Sequence, residues 1–305
     1  MTLLLETKNQ PNLILYVTTI DDNLYHFNKL FKLRDEIEQL PQDCLNIKVD
    51  FHYCEFLGHY GVAFLGGLFR FIKARGGSLA FDWNTLPEKI SMNLAQNGFL
   101  CAFGCDRKPW DGNSIPYRND LHQDFYAIAD YLKYNWLGKG WVNISPRLQD
   151  AITGRVLEIY FNAFDHSQSA MGVFSCGQHY PKLGFLHLTV IDFGIGIPTS
   201  VRSLSQNSDK TANEALKWAF EPGNSTKQDS ISRGAGLNLL QEFIVKNHGN
   251  LTIFSNDGYV NIGDNIIYEN KGTNFRGTLI NIALRCDESY YCLATEAHQL
   301  KKRLF

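Results

Sequence analysis

What the chain lacks narrows what it can be. It has no surplus of positive charge: 29 Lys and Arg stand against 31 Asp and Glu, a net charge of -2. Composition therefore gives no electrostatic support for a nucleic-acid partner or an anionic membrane. The opening residues, MTLLLETKNQ, lack the basic stretch and long apolar run of a signal peptide. No segment approaches the roughly 20 apolar residues of a spanning helix. The best candidate, residues 62–72, is short and contains Arg70. These absences predict a soluble, cytoplasmic protein with no membrane partner. There is no CxxC pair, and seven cysteines at irregular spacings make no disulfide framework. Cys101 with Cys105, and Cys176 with His179, could ligate zinc if paired; reduced, partly buried thiols are the expected reading. There is no internal repeat, no low-complexity tract and no helical hairpin bearing an acceptor histidine.

What is present is a globular composition, 44% hydrophobic and 20% charged over 305 residues. At about 150 residues per domain this suggests two domains. In residues 1–105, strand and helix signals alternate. Strands are expected at 13–18, 45–51 and 79–83, and helices at 27–40, 61–74 (ended by Gly76-Gly77) and 87–95 (stopped by Gly98). Alternation of this kind implies an α/β layer. Residues 106–144 break the pattern. Trp110-Asp-Gly-Asn-Ser-Ile-Pro is loop chemistry, and 121–136 is aromatic with helical spacing, so the stretch is expected to be a packed connector. Residues 145–305 form the second domain. Ser145 caps a helix with Pro146 at its first position, running to about Phe164. Strands are expected at 185–191, 251–255, 265–268 and 275–284, and a helix at 236–247.

Three stretches carry chemistry. Glu158, Asn162 and Asp165 share one helix face, beside an apolar stripe of Leu148, Ile152, Ile159 and Ala163. Asp192 ends a buried strand and leads into Phe193-Gly194-Ile195-Gly196, where a carboxylate can accept from an exocyclic amine and glycine lets backbone approach a ligand closely. Arg233-Gly234-Ala235-Gly236-Leu237 opens a helix, whose free N–H groups suit phosphate. Each has a bland alternative, respectively a solvated face, a tight turn and a plain cap. Their order carries the signal.

In that order the motifs resemble the GHKL ATPase superfamily, which includes the ATPase component of DNA gyrase, the large heat-shock chaperones, mismatch-repair ATPases and histidine-kinase catalytic domains. Glu158-x-x-x-Asn162 looks like the N box, Asp192-x-Gly194-x-Gly196 the first glycine box, Gly234-x-Gly236-Leu237 the second, and Gly277-Thr278 the final Gly-Thr element. The resemblance covers about 145–285. It implies that Asn162 coordinates Mg²⁺ bridging the ATP phosphates and that Asp192 binds the adenine amine. Thr278 would support adenine recognition, Gly194, Gly196, Gly234 and Gly236 would shape the pocket, and Asp165, Arg233 (adding charge) and Leu237 would be among the nucleotide-binding residues. Glu158 would be the base that activates water. Residues 197–232 would be the lid, with a short docking helix around Leu216, Trp218 and Phe220. Lys227 and His166 read as a solvated lysine and a structural histidine.

Residues 10–105, with Ile47-Lys-Val-Asp50-Phe51 and then Phe56-Leu-Gly58-His59-Tyr60-Gly61 before a helix, resemble the STAS domains of anti-sigma-factor antagonists. Gly58-His59-Tyr60-Gly61 replaces the phosphorylatable serine of that loop, so this part is expected to dock a protein client or regulator, or to self-associate. The fold class expected is α/β (α+β), a STAS-like layer followed by a GHKL-type sandwich whose mixed sheet is covered by helices on one face. The expected function is Mg²⁺-dependent ATP binding, with hydrolysis switching conformation or partner binding. The alternatives are an anti-sigma-factor-type Ser/Thr kinase and a non-catalytic nucleotide sensor. Homodimerisation is compatible with all three.

Overall fold

A computed structural model of the chain describes residues 2–7, 11–221, 224 and 236–297. Strands β1 (Thr2–Thr7) and β2 (Pro11–Tyr16) lead to helix α1 (Leu24–Gln39), β3 (Asn46–Asp50), α2 (His59–Ala74), β4 (Ser78–Phe81), α3 (Glu88–Gln96) and the single turn α4 (Phe99–Ala102). From β2 onward the first half alternates as its apolar spacing predicts, and a strand that was not expected, β1, precedes it. The four strands form one sheet in order β1-β2-β3-β4, with β1 antiparallel to β2 and the rest parallel. Ile47, Val49 and Phe51 all point into the core, as their alternation requires.

The second half begins earlier than the cap at Ser145. Strand β5 (Ser114–Asp120) lies inside the expected connector and forms the edge of a seven-stranded sheet, pairing with β6 (Val173–Tyr180). Between them run α5 (Phe125–Asp130), continued through Trp136 by wider turns, and α6 (Pro146–His166). Then follow β7 (Phe185–Asp192), α7 (Ile197–Arg202), α8 (Ala212–Phe220), α9 (Gly236–Lys246), β8 (Asn250–Asn256), β9 (Gly258–Ile262), β10 (Ile266–Glu269) and β11 (Phe275–Arg285). The sheet order is β10-β9-β8-β11-β7-β6-β5. Every pairing in it is antiparallel, in place of the mixed sheet that the resemblance implies. Among the described residues no helix is long and apolar enough to cross a membrane.

Both faces of this sheet are covered. One carries α6 and α9, whose Ile152, Val156, Leu240 and Ile244 pack on Leu186, Leu188 and Val190 of β7. The other carries α1 and α2. The ring of Phe27 lies 4.8 Å from that of Phe254, and Phe31 stacks on Phe275 at 4.7 Å. Helix α2 packs between β4 on one side and β6 and β7 on the other. That double cover explains its sequence, because a helix with apolar residues all round belongs in an interior. Its glycines permit the close approach: a methyl at Gly66 would overlap Tyr117, and one at Gly67 would overlap the ring of Phe193. The two halves consequently share one core, in which Leu15, Val49 and Leu65 join Phe174, Ile191, Phe193 and Phe275.

Candidate functional site

Side chains alternate along β7. Leu186, Leu188 and Val190 face α6 and α9, and Ile191 faces α2, so Asp192 returns to the α6/α9 face at the strand's end. Thr278 on β11 is its register partner, and Ser255 on β8 is the partner of Thr278. The three make a polar row across the end of the sheet, each at most 8% exposed. Ser255 Oγ lies 3.0 Å from Thr278 Oγ1 and donates to the Gly277 carbonyl at 2.9 Å. It also accepts from the Ile197 N–H at 2.8 Å. Asp192 Oδ1 accepts from the Gly194 N–H at 2.9 Å. Burial pushes the Asp192 carboxyl up to about 7, against the opposing pull of hydrogen bonds from Gly194 and Thr278. It is a buried carboxyl with acceptor capacity at a strand end, the group an amine donor needs.

Glycines close the ends of this row. Gly277 has φ +138°, and a side chain there would run into the Asp192 carbonyl. Gly194 lies against Ser167, just past α6, and the Ile195 N–H donates to the Ser167 carbonyl at 2.8 Å. Gly196 has φ +82° and starts α7. The Asp192–Gly196 turn is thus tied to the C-terminal end of α6.

Helix α6 begins as expected: Ser145 Oγ accepts from the Leu148 N–H at 3.1 Å, with Pro146 at the first position. Glu158, Asn162 and Asp165 follow on its later turns. Asn162 is exposed and Asp165 half-buried. Glu158 is half-buried and paired with Arg155 at 2.9 Å. Asn162 stands five residues before Ser167, about 7.5 Å along the axis. Of the expected second glycine box, Gly236 and Leu237 lie in the first turn of α9, which packs on α6. Arg233 and Gly234 lie outside the described residues, as does Lys227. The expected docking helix is α8, with Leu216 and Phe220 buried and Thr211 and Glu214 forming a capping box.

The Gly58–Gly61 loop is closed. His59 is 3% exposed at the start of α2. Its Nε2 donates to Asn281 Oδ1 at 2.9 Å and its Nδ1 accepts from the Tyr180 hydroxyl at 3.3 Å, the pattern of a neutral ring. Burial drives it down to about 4, and the neighbouring His187, its ring 4.9 Å away, down to about 2. Cys176 and His179, three apart on β6, point to opposite faces and cannot converge on one ion. Cys176 is buried in the core, while His179 stacks on Trp141 at 4.4 Å.

The structure brings Asp192, Gly194 and Thr278 together and adds Ser255, Asn256 and Ser167, which the sequence motifs do not single out. Asn256 holds φ +50°, donates to the Ile195 carbonyl at 3.0 Å and accepts from the Thr199 hydroxyl at 3.0 Å. The available signal was Ser255-Asn-Asp-Gly258, a turn cluster at a strand end. No protein-family model matches the chain, and no curated protein sequence matches it.

Proposed function

We propose that the chain binds ATP with Mg²⁺ in a GHKL-type pocket on the α6/α9 face of the large sheet, and hydrolyses it to switch conformation or partner binding. The observation carrying this reading is the Asp192–Thr278–Ser255 row beside a glycine turn tied to α6. A purine amine donates to a carboxylate, and at a buried strand end that bond escapes competition from water. Gly277 and Gly196 let the backbone close against the Asp192 carbonyl and the Asn256 side chain beside the row. Mg²⁺ retains much of its water and takes few protein ligands, so the exposed Asn162 amide with the phosphates suits it; when bound it neutralises phosphate charge. Glu158, one helical turn before Asn162, would orient and deprotonate the attacking water. A protein client held through the N-terminal half, and pairing into a homodimer, belong to the same proposal.

The Arg155–Glu158 pair favours a second reading, because it occupies the carboxylate that hydrolysis needs. In that reading the chain senses nucleotide without turnover. Calorimetric titration of Mg-ATP into wild type, Asp192→Asn and Glu158→Ala, with phosphate release followed on the same samples, separates them. Wild type should bind, Asp192→Asn at least about tenfold more weakly, a loss of about 1.4 kcal/mol. Phosphate release should disappear in Glu158→Ala while binding persists. Binding without release gives the sensor. Label passing from γ-phosphate to a protein would replace hydrolysis by the kinase reaction. No binding by wild type overturns the proposal.

A further inference from the structure

On the opposite face of the sheet, behind the Asp192–Gly196 turn, lies a cleft of about 550 Å³. That is within the size range of small-molecule sites. Its walls come from both halves: Arg34 and Arg75 beside the ends of α1 and α2, the loop after α6, Phe193 to Ile195, Asn256 and Arg276. Among the described residues three guanidiniums line it and no carboxylate does. Arg34 is only 4% exposed, lies 4.8 Å over the ring of Phe71, and its Nε has no hydrogen-bond partner among the described residues. A buried unpaired donor costs roughly 1–3 kcal/mol.

The local carboxylates do not discharge the cluster. Glu38 is shared between Arg34 at 2.6 Å and Arg276 at 2.9 Å, and Asp35 reaches Arg34 at 3.2 Å. Arg75 donates only to the backbone carbonyls of Ile37 and Leu40 among the described residues, which leave its charge uncompensated. Arg276 keeps 58% of its side chain exposed at the mouth. The remaining lining is mixed, with an apolar stretch of Phe71, Met171 and Phe193 beside polar residues that include Ser167 and Thr199. Of the three described non-glycine residues with positive φ, two, Gln168 at 53° and Asn256 at 50°, stand on this same wall. Backbone held in that region costs of order 1 kcal/mol and gathers at ligand sites.

We propose that this cleft binds a small organic phosphate, a phosphate monoester on an aromatic or otherwise apolar body. Guanidinium forks match phosphate oxygens bidentately. The Phe71–Met171–Phe193 wall receives the body. The cleft shares Ser167, Gly194 and Asn256 with the turn beside the Asp192 row, but its guanidiniums stand on the other face, since Phe193 and Asp192 point to opposite faces of the sheet.

The test is calorimetric titration of phenyl phosphate into the full chain at low salt, beside inorganic phosphate and phenol. Phenyl phosphate should bind at least about tenfold more tightly than either. Arg276→Gln removes the mouth guanidinium, and Ala74→Glu sets a carboxylate in the cleft from an exposed helix position. Each should weaken phenyl phosphate about tenfold or more at an unchanged thermal midpoint. Asp192→Asn should leave that affinity unchanged. Equal affinity for inorganic and phenyl phosphate would overturn the organic-phosphate assignment. So would no binding by wild type, or wild-type affinity in both cleft variants. Loss in Asp192→Asn alone would move the ligand to the other face and overturn it as well.

Discussion

Asp192 concentrates the chemistry at the scale of single residues. An unfolded aspartate titrates near 3.8, whereas burial holds this one at about 7. Between those values the native chain keeps a proton that the unfolded chain has released. The stability contributed by this group is therefore full below about pH 4 and is lost as pH rises through 7. Asp192→Asn keeps the shape without the titration. In denaturant melts, the stability of wild type relative to the variant should fall by on the order of 1 kcal/mol per pH unit between pH 5 and 7. A pH-independent difference would show that the carboxyl is not buried as described. An amine donor prefers the ionised carboxylate, so wild-type affinity for ATP should rise over the same interval. Asp192, Gly194 and Thr278 were legible because strand, turn and Gly-Thr pattern fall in a recognisable order. Ser255 was not, since its function depends on a partner 23 residues away across a strand pair.

Among the elements, α2 and α6 show what glycine does in two environments. A methyl at Gly67 would meet the Phe193 ring, so Gly67→Ala should destabilise by about 1–3 kcal/mol through overpacking. Phe193→Leu in the same chain should recover part of that loss, the coupling expected of residues in contact. A methyl at Gly154, within α6, meets nothing within 4 Å, so Gly154→Ala should stabilise by about 0.5–1 kcal/mol. Urea midpoints of the four variants decide both, and an additive Gly67→Ala/Phe193→Leu pair would refute the packing. The longer helices were legible from apolar spacing and caps, α4 and α7 were not, and α2 ends at Ala74 as its glycines indicate. The strands β5 and β6 were not. β5 holds Pro116, Arg118 and Asp120, and β6 holds Ser175, Gly177 and Gln178. Neither alternates, because β6 is buried on both faces and β5 is an edge strand with an irregular register.

In the whole molecule, the shared core is the property least visible in the sequence. Two compact patterns side by side suggest two domains, and only packing shows that α1 and α2 cover the back of the large sheet. Residues 106–305 alone would expose Phe174, Ile191, Phe254 and Phe275 on that bare face. This fragment should aggregate or melt without cooperativity, and co-expression with 1–105 should restore a cooperative transition. A wild-type-like melt of 106–305 by itself would contradict the shared core.

Helix α2 also imposes a delay on biosynthesis. It is complete at Ala74, while the strand that covers its far side is complete only at Asp192, about 120 residues later. At roughly 5–20 residues per second, a ribosome takes about 6 to 24 s to supply that cover. For that interval the nascent chain carries a finished apolar helix with one flank open to solvent or to any chaperone at the exit tunnel.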